Sequence, residues 1–215
     1  MSTLRYLAAA CGFVGLIAAV GCGGGPGRID VPGFSPSRDA SKAMDLYDSD
    51  GDGLIAGEEL DSAPELKAAM STLDTDGDQK VSQAEIEARI QSWIDSKVGL
   101  TGCRCTVMLD GQPVKDATVT FEPVEYLKGA IQPARGTTNI QGQANIKIPK
   151  DQRPSPTSPA GMQTGFYRIQ VSKLENGSEK FPTRYNAETM LGQQVSKDDP
   201  AMQSTRPLLL NLESN

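Results

Sequence analysis

Asp48, Asp50 and Asp52 alternate along the segment DSDGDGLIAGEE, which ends on Glu59. A second run, DTDGDQKVSQAE, repeats the arrangement with Asp74, Asp76, Asp78 and Glu85. Carboxylates placed at every second residue of a tightly turning chain can converge on one point, and Gly53 supplies the freedom for such a turn in the first run. Oxygen donors gathered in this way suit a hard divalent cation, which takes about six to eight oxygens at about 2.3 to 2.6 Å.

The spacing D-x-D-x-D-G followed by five residues and Glu resembles the EF-hand calcium loop. That resemblance implies two Ca2+ sites. In the first, Asp48, Asp50, Asp52, the Leu54 carbonyl and both oxygens of Glu59 are the expected ligands, with water at the vertex where Ala56 brings no side-chain donor. In the second they are Asp74, Asp76, Asp78, the Lys80 carbonyl and Glu85, with Ser82 at the position of Ala56. Ile55 and Val81 stand where paired loops join each other. Gln79 replaces the glycine of the first loop, so it must adopt positive φ at a cost of about 1 to 2 kcal/mol, and the second site is expected to be the weaker.

Helices must position both loops. Ser41 can cap a helix running through Tyr47; Ser62 and Glu65 form a capping-box pattern, with Pro64 in the first turn, that would launch ELKAAMSTL. Ala84, Ile86, Ile90, Trp93 and Ile94 recur at helical spacing after the second loop. Only the 14 residues Leu60 to Leu73 separate the loops, a compact spacing more like bacterial secreted EF-hand repeats than sensor proteins. The helix-loop-helix pair is expected over residues 38–98.

Charge follows the same division. Of 215 residues, 27 are acidic and 21 basic, a net charge of -6; between Asp39 and Lys97 there are 15 acidic against 5 basic, and from Val98 to Asn215 there are 11 against 13. An anionic field on that scale repels nucleic acid, so no nucleic-acid partner is expected. There is no histidine at all, which excludes Ser-His-Asp and Cys-His nucleophile pairs and histidine-based zinc sites. No paired acid and base stands outside the two loops, so no catalytic residues are assigned.

The first 21 residues, MSTLRYLAAACGFVGLIAAVG, have the layout of a signal peptide: one basic residue, a short apolar stretch, then small residues. An uncleaved anchor helix is the alternative, although the apolar stretch is short for a membrane span. Ala19-Val20-Gly21-Cys22 resembles the lipobox of bacterial lipoproteins, which implies lipidation at Cys22 and attachment to a membrane through that lipid. Residues 22–37 read as a flexible tether. The protein is therefore expected to be exported and membrane-anchored, at the outer membrane, cell surface or periplasm.

Beyond residue 98 the hydrophobic period changes from helical to alternating. Cys103, Cys105, Val107 and Leu109 share one face, Asp110-Gly111 is a turn, and Ala117 to Glu122 follows as a second strand. Cys103 and Cys105 read as buried apolar residues or as a redox pair. Further strands are expected at Thr137 to Asn139, Ala144 to Ile148, Gly165 to Lys173 and Arg206 to Leu212, with Asn176-Gly177 as a hairpin turn. TVMLDGQPVKDATVTFEP, TTNIQGQANI and GFYRIQVSK, in that order, resemble the carboxypeptidase regulatory-like (transthyretin-like) family. The resemblance covers about residues 100 to 213, within a domain expected over residues 99–215, and implies a non-catalytic antiparallel β-sandwich, Ig-like in architecture.

The whole reads as a multidomain α plus β chain whose activity is calcium ion binding by a structural or interaction protein. An unknown protein or polysaccharide is the expected partner. A calcium-dependent regulator that exposes or releases a partner-binding surface is the alternative.

Overall fold

The computed structural model describes residues 29–203 and 207–214. The leader, Cys22 and the expected strand start at Arg206 lie outside the described residues. The chain combines α-helices with β-sheets, helices first.

Five helices form the N-terminal part: α1 (Pro36–Tyr47), α2 (Glu58–Ser62), α3 (Pro64–Ala68), α4 (Met70–Leu73) and α5 (Gln83–Ser96). The first begins five residues before the expected Ser41 cap, because Pro36 occupies its first turn and the Ser35 N–H donates to Asp39 Oδ2 at 2.8 Å. The tether expected to reach residue 37 is correspondingly shorter: Pro32 is buried, and the Phe34 ring lies 5.6 Å from Trp93. An aromatic anchor of this kind is incompatible with a free linker.

The helix expected over ELKAAMSTL is broken, with Ala69 at φ -96°, ψ 2° between α3 and α4. Glu65 does not cap it. Its side chain is fully buried and accepts a hydrogen bond from the Tyr47 hydroxyl at 2.8 Å. A capping box forms instead at α5, where Ser82 Oγ accepts from the Glu85 N–H at 3.3 Å and Glu85 Oε2 accepts from the Ser82 N–H at 2.9 Å. Ile86, Ile90 and Trp93 of that helix are buried.

The C-terminal part holds β3 (Cys103–Leu109), β4 (Gln112–Pro113), β5 (Thr118–Pro123), β6 (Ala134–Thr137), β7 (Gln143–Ile146), β8 (Gly165–Ser172), β9 (Leu174–Glu175), β10 (Ser178–Glu179), β11 (Leu191–Val195) and β12 (Leu208–Leu212), with a short helix α6 (Pro200–Gln203) before the last strand. One four-stranded sheet has the order β11-β8-β5-β6, all antiparallel; in the other, β3 pairs with β12 on one side and with β4 and β7 on the other. The β12–β3 pairing is parallel, so this sheet is mixed and not purely antiparallel as expected. The last strand returns after a long connection, which frees it from the antiparallel direction that a tight hairpin imposes. Asp110-Gly111 and Asn176-Gly177 form the expected turns, all four residues at positive φ (48°, 77°, 53° and 81°).

Cys103 and Cys105 are free thiols on the buried face of β3, 4% and 0% exposed. Burial pushes both up to about 12, which leaves them protonated and unreactive.

The helices lie across the sheet that contains β8, and the start of that strand, Gly165 to Tyr167, is buried on both faces. Phe166 meets Trp93 with ring centroids 4.8 Å apart, whereas Tyr167 meets Phe121 at 6.1 Å on the side shared with the second sheet. Helix α3 comes so close to β11 that a Cβ at Gly192 would stand 2.2 Å from the Glu65 nitrogen. One continuous hydrophobic core therefore serves both parts of the chain.

Two polar ties, each with a buried member, cross the junction. Arg89, 7% exposed, places Nη1 2.7 Å and Nη2 2.9 Å from the two Asp198 oxygens, donates from Nε to Gln194 Oε1 at 2.6 Å and from Nη2 to Ser196 Oγ at 2.9 Å. The second tie joins Arg168 to Glu65 at 3.4 Å, to the Tyr47 hydroxyl at 3.3 Å and to the Ser62 carbonyl.

Candidate metal centre

Each loop is shaped by its own aspartates. Asp48 Oδ1 accepts from the Gly51 N–H at 2.8 Å and Oδ2 from the Gly53 N–H at 3.0 Å. Asp74 does the same with Gly77 at 2.7 Å and Gln79 at 3.0 Å. Asp50 and Asp52 then accept from the N–H groups of Asp52 and Leu54, and Asp76 and Asp78 from those of Asp78 and Lys80. Short polar side chains that fold onto a backbone two or three residues ahead stabilise turns of this type.

The result is two triplets, Asp48–Asp50–Asp52 and Asp74–Asp76–Asp78, in which one carboxylate oxygen from each residue lies within 4.8 Å of the others. None of the six aspartates forms an ion pair with lysine or arginine among the described residues. Clustered carboxylates without a cationic side chain repel one another, and a divalent ion relieves that repulsion while satisfying the hard-oxygen set. The donor chemistry fits a divalent cation of the calcium type.

Glu59 and Glu85 stand outside these triplets. Glu59 Oε1 accepts from the Ser49 N–H at 2.7 Å and from its hydroxyl at 2.9 Å, and Oε2 accepts from the Ala56 N–H at 3.0 Å. Glu85 is held likewise by Thr75 at 2.8 Å and Ser82 at 2.9 Å. The Ala56 N–H, followed by the Ser49 hydroxyl, holds Glu59 below the usual carboxylate range. For Glu85 partial desolvation acts upward but is outweighed by the bonds from Ser82 and Thr75, and the net direction is again downward. Both groups are thus kept ionised. Ser49 and Thr75 escaped the sequence reading; their shared place between the first two aspartates of each loop was the signal.

The loops are joined by β1 (Leu54–Ile55) and β2 (Val81–Ser82), antiparallel, with Leu54 opposite Ser82 and Ile55 opposite Val81. Ile55 and Val81 are completely buried, so the pairing anchors the loop backs in the core while their acidic fronts face solvent. Gly53 has φ 86°, and Gln79 takes the corresponding conformation at φ 63°, as its position requires. Tyr47 immediately precedes Asp48, and Arg89 lies four residues beyond Glu85 on α5, so both polar ties to the β-sheet start next to a loop.

Among the described residues no helix is long and apolar enough to cross a membrane. Compared with protein-family models and with curated proteins, the chain matches none.

Proposed function

We propose that the protein binds two calcium ions in an EF-hand pair and is a non-catalytic structural or interaction protein. The EF-hand pair rests against a carboxypeptidase regulatory-like β-sandwich, and Cys22 carries the lipid that holds the exported chain at a membrane. The observation that supports this best is the doubling of the loop: two aspartate triplets with matching internal hydrogen bonds, joined back to back through Ile55 and Val81. Asp48, Asp50, Asp52 and Glu59 with the Leu54 carbonyl are the ligands of the first ion; Asp74, Asp76, Asp78 and Glu85 with the Lys80 carbonyl are those of the second. The strained Gln79 backbone makes the second site the weaker.

Calcium titration calorimetry on chelator-stripped protein tests this. Two binding phases are expected, with Glu59→Gln removing the tighter and Glu85→Gln the weaker. Absence of calcium heats at millimolar ion, or an unchanged tight phase in Glu59→Gln, defeats the reading. Membrane attachment is tested separately, since Cys22→Ala should move the chain from the membrane to the soluble fraction.

The two ties beside the loops favour, as a second reading, a regulator in which ion loss loosens the helices from the sheet. Near-ultraviolet circular dichroism across a calcium titration separates the two. An unchanged aromatic signal supports the structural role, and loss of the Trp93 signal supports regulation.

A further inference from the structure

We infer that the outer face of the chain where β6 meets β7 is a binding site for an acidic polysaccharide, recognised through Arg135 and Lys147. Arg135 of β6 and Lys147, just beyond β7, form an antiparallel bridge, their backbones exchanging hydrogen bonds of 3.0 and 3.2 Å. Both side chains are exposed and leave from directly opposed positions. Like charges directly opposite one another on a sheet destabilise it. Among the described residues, neither forms an ion pair that would relieve the repulsion. A local conflict of this kind is expected where an anionic ligand supplies the missing charge.

The surroundings form an open trough. A cleft of about 390 Å³ is lined by Arg135, Lys147, Asn145, Thr118 and Thr137, and by Gly136, where a Cβ would stand 2.5 Å from the Asn145 carbonyl oxygen. Asn145 and Lys147 also line an adjoining hollow of about 540 Å³ that reaches Arg104, which is paired in register with Asn145 across β3 and β7. No carboxylate and no aromatic ring lines either cavity among the described residues.

The chemistry of the lining selects the ligand. Guanidinium and ammonium groups pair with carboxylate or sulfate, and the Asn145 amide with the two threonine hydroxyls can both donate to and accept from sugar hydroxyls. Nucleic acid would gain the same charge contacts but find no ring on which to stack its bases. The acidic loops do not oppose the ligand, because the helices pack over β8 and β11 whereas β6 is the opposite edge of that sheet.

The test uses the full chain and dextran sulfate oligomers as the probe, with neutral dextran of equal length and duplex DNA alongside, at physiological salt. Dextran sulfate should bind and neutral dextran should not. Arg135→Gln with Lys147→Gln should weaken binding at least tenfold and flatten its salt dependence, and Lys147→Glu alone should do the same. Lys128→Gln, which removes a cation elsewhere on the surface, should leave binding within twofold. No binding to dextran sulfate, equal binding by the double variant, or DNA binding as tight as that of the sulfated glycan overturns the proposal.

Discussion

Replacing Arg89 with methionine tests whether the helices and the sheets are one cooperative unit. The side chain carries a bidentate pair to Asp198 at 2.7 and 2.9 Å and further bonds to Gln194 and Ser196, all from a nearly buried position. Breaking a fully buried pair costs about 3 to 5 kcal/mol. The Asp198 side chain is 60% exposed, so water can rehydrate it and that figure must be reduced. Gln194 is completely buried, however, and its side-chain oxygen loses its arginine donor, which adds about 1 to 3 kcal/mol. Methionine keeps much of the aliphatic packing. The net expectation is a loss of about 3 kcal/mol, or a shift of about 1 to 2 M in the urea midpoint.

Trp93 is the single tryptophan, 1% exposed and packed between Phe34 and Phe166, so its fluorescence reports on the junction itself. Fluorescence and far-ultraviolet circular dichroism should give one coincident transition in the parent and in Arg89→Met, the latter at lower urea. The parent should also lose more stability than the variant as pH falls through the lowest part of the acid limb. Arg89 holds the Asp198 carboxyl down to about 2, so the stability it contributes is present above the ordinary value of 3.8 and disappears as pH falls through about 2. A midpoint change equivalent to less than about 0.5 kcal/mol, or separate transitions for the two parts of the parent, would refute the reasoning.

Three further outcomes are expected. Gln79→Gly removes a side chain from a φ of 63° and should tighten the proposed second calcium site several-fold in calorimetry, about 1 kcal/mol, without changing the proposed first. Gly192→Ala drives a Cβ into the α3 backbone, so unfolding by differential scanning calorimetry should move down by about 2 to 10 °C. Burial raises the Glu65 carboxyl above its ordinary 4.5, so its contribution to stability is full below that pH and is lost as pH rises through the raised value; denaturation midpoints of Glu65→Gln should therefore gain on the parent between pH 4 and pH 8.

The two acidic loops were legible because their chemistry is local. A carboxylate at every second position and a residue forced to positive φ at Gln79 both depend on neighbours within a dozen residues, whereas the capping box expected at Ser62 and Glu65 formed at Ser82 and Glu85 instead. The Asp110-Gly111 and Asn176-Gly177 turns and the buried face of β3 followed from the same short-range rules. The early start of α1 was also written locally, in Pro36, but hidden by a tether reading based on the glycines upstream.

The junction was not legible. Arg89 lies 105 residues from Gln194, and Arg168 lies 121 from Tyr47. Each of these polar residues, read singly, suits a solvated surface, and Glu65 suits a helix cap. Their burial follows only once α3 and α5 settle on β8 and β11, since a charged group leaves water only where a partner from elsewhere in the chain meets it. The parallel return of β12 to β3 and the facing of Arg135 against Lys147 have the same origin. The sequence by itself determined where the two aspartate triplets gather, because their carboxylates are neighbours in the chain. Only the tertiary structure decided that those loops share one core with the sheets, because that depends on apolar faces and charges meeting across a hundred residues.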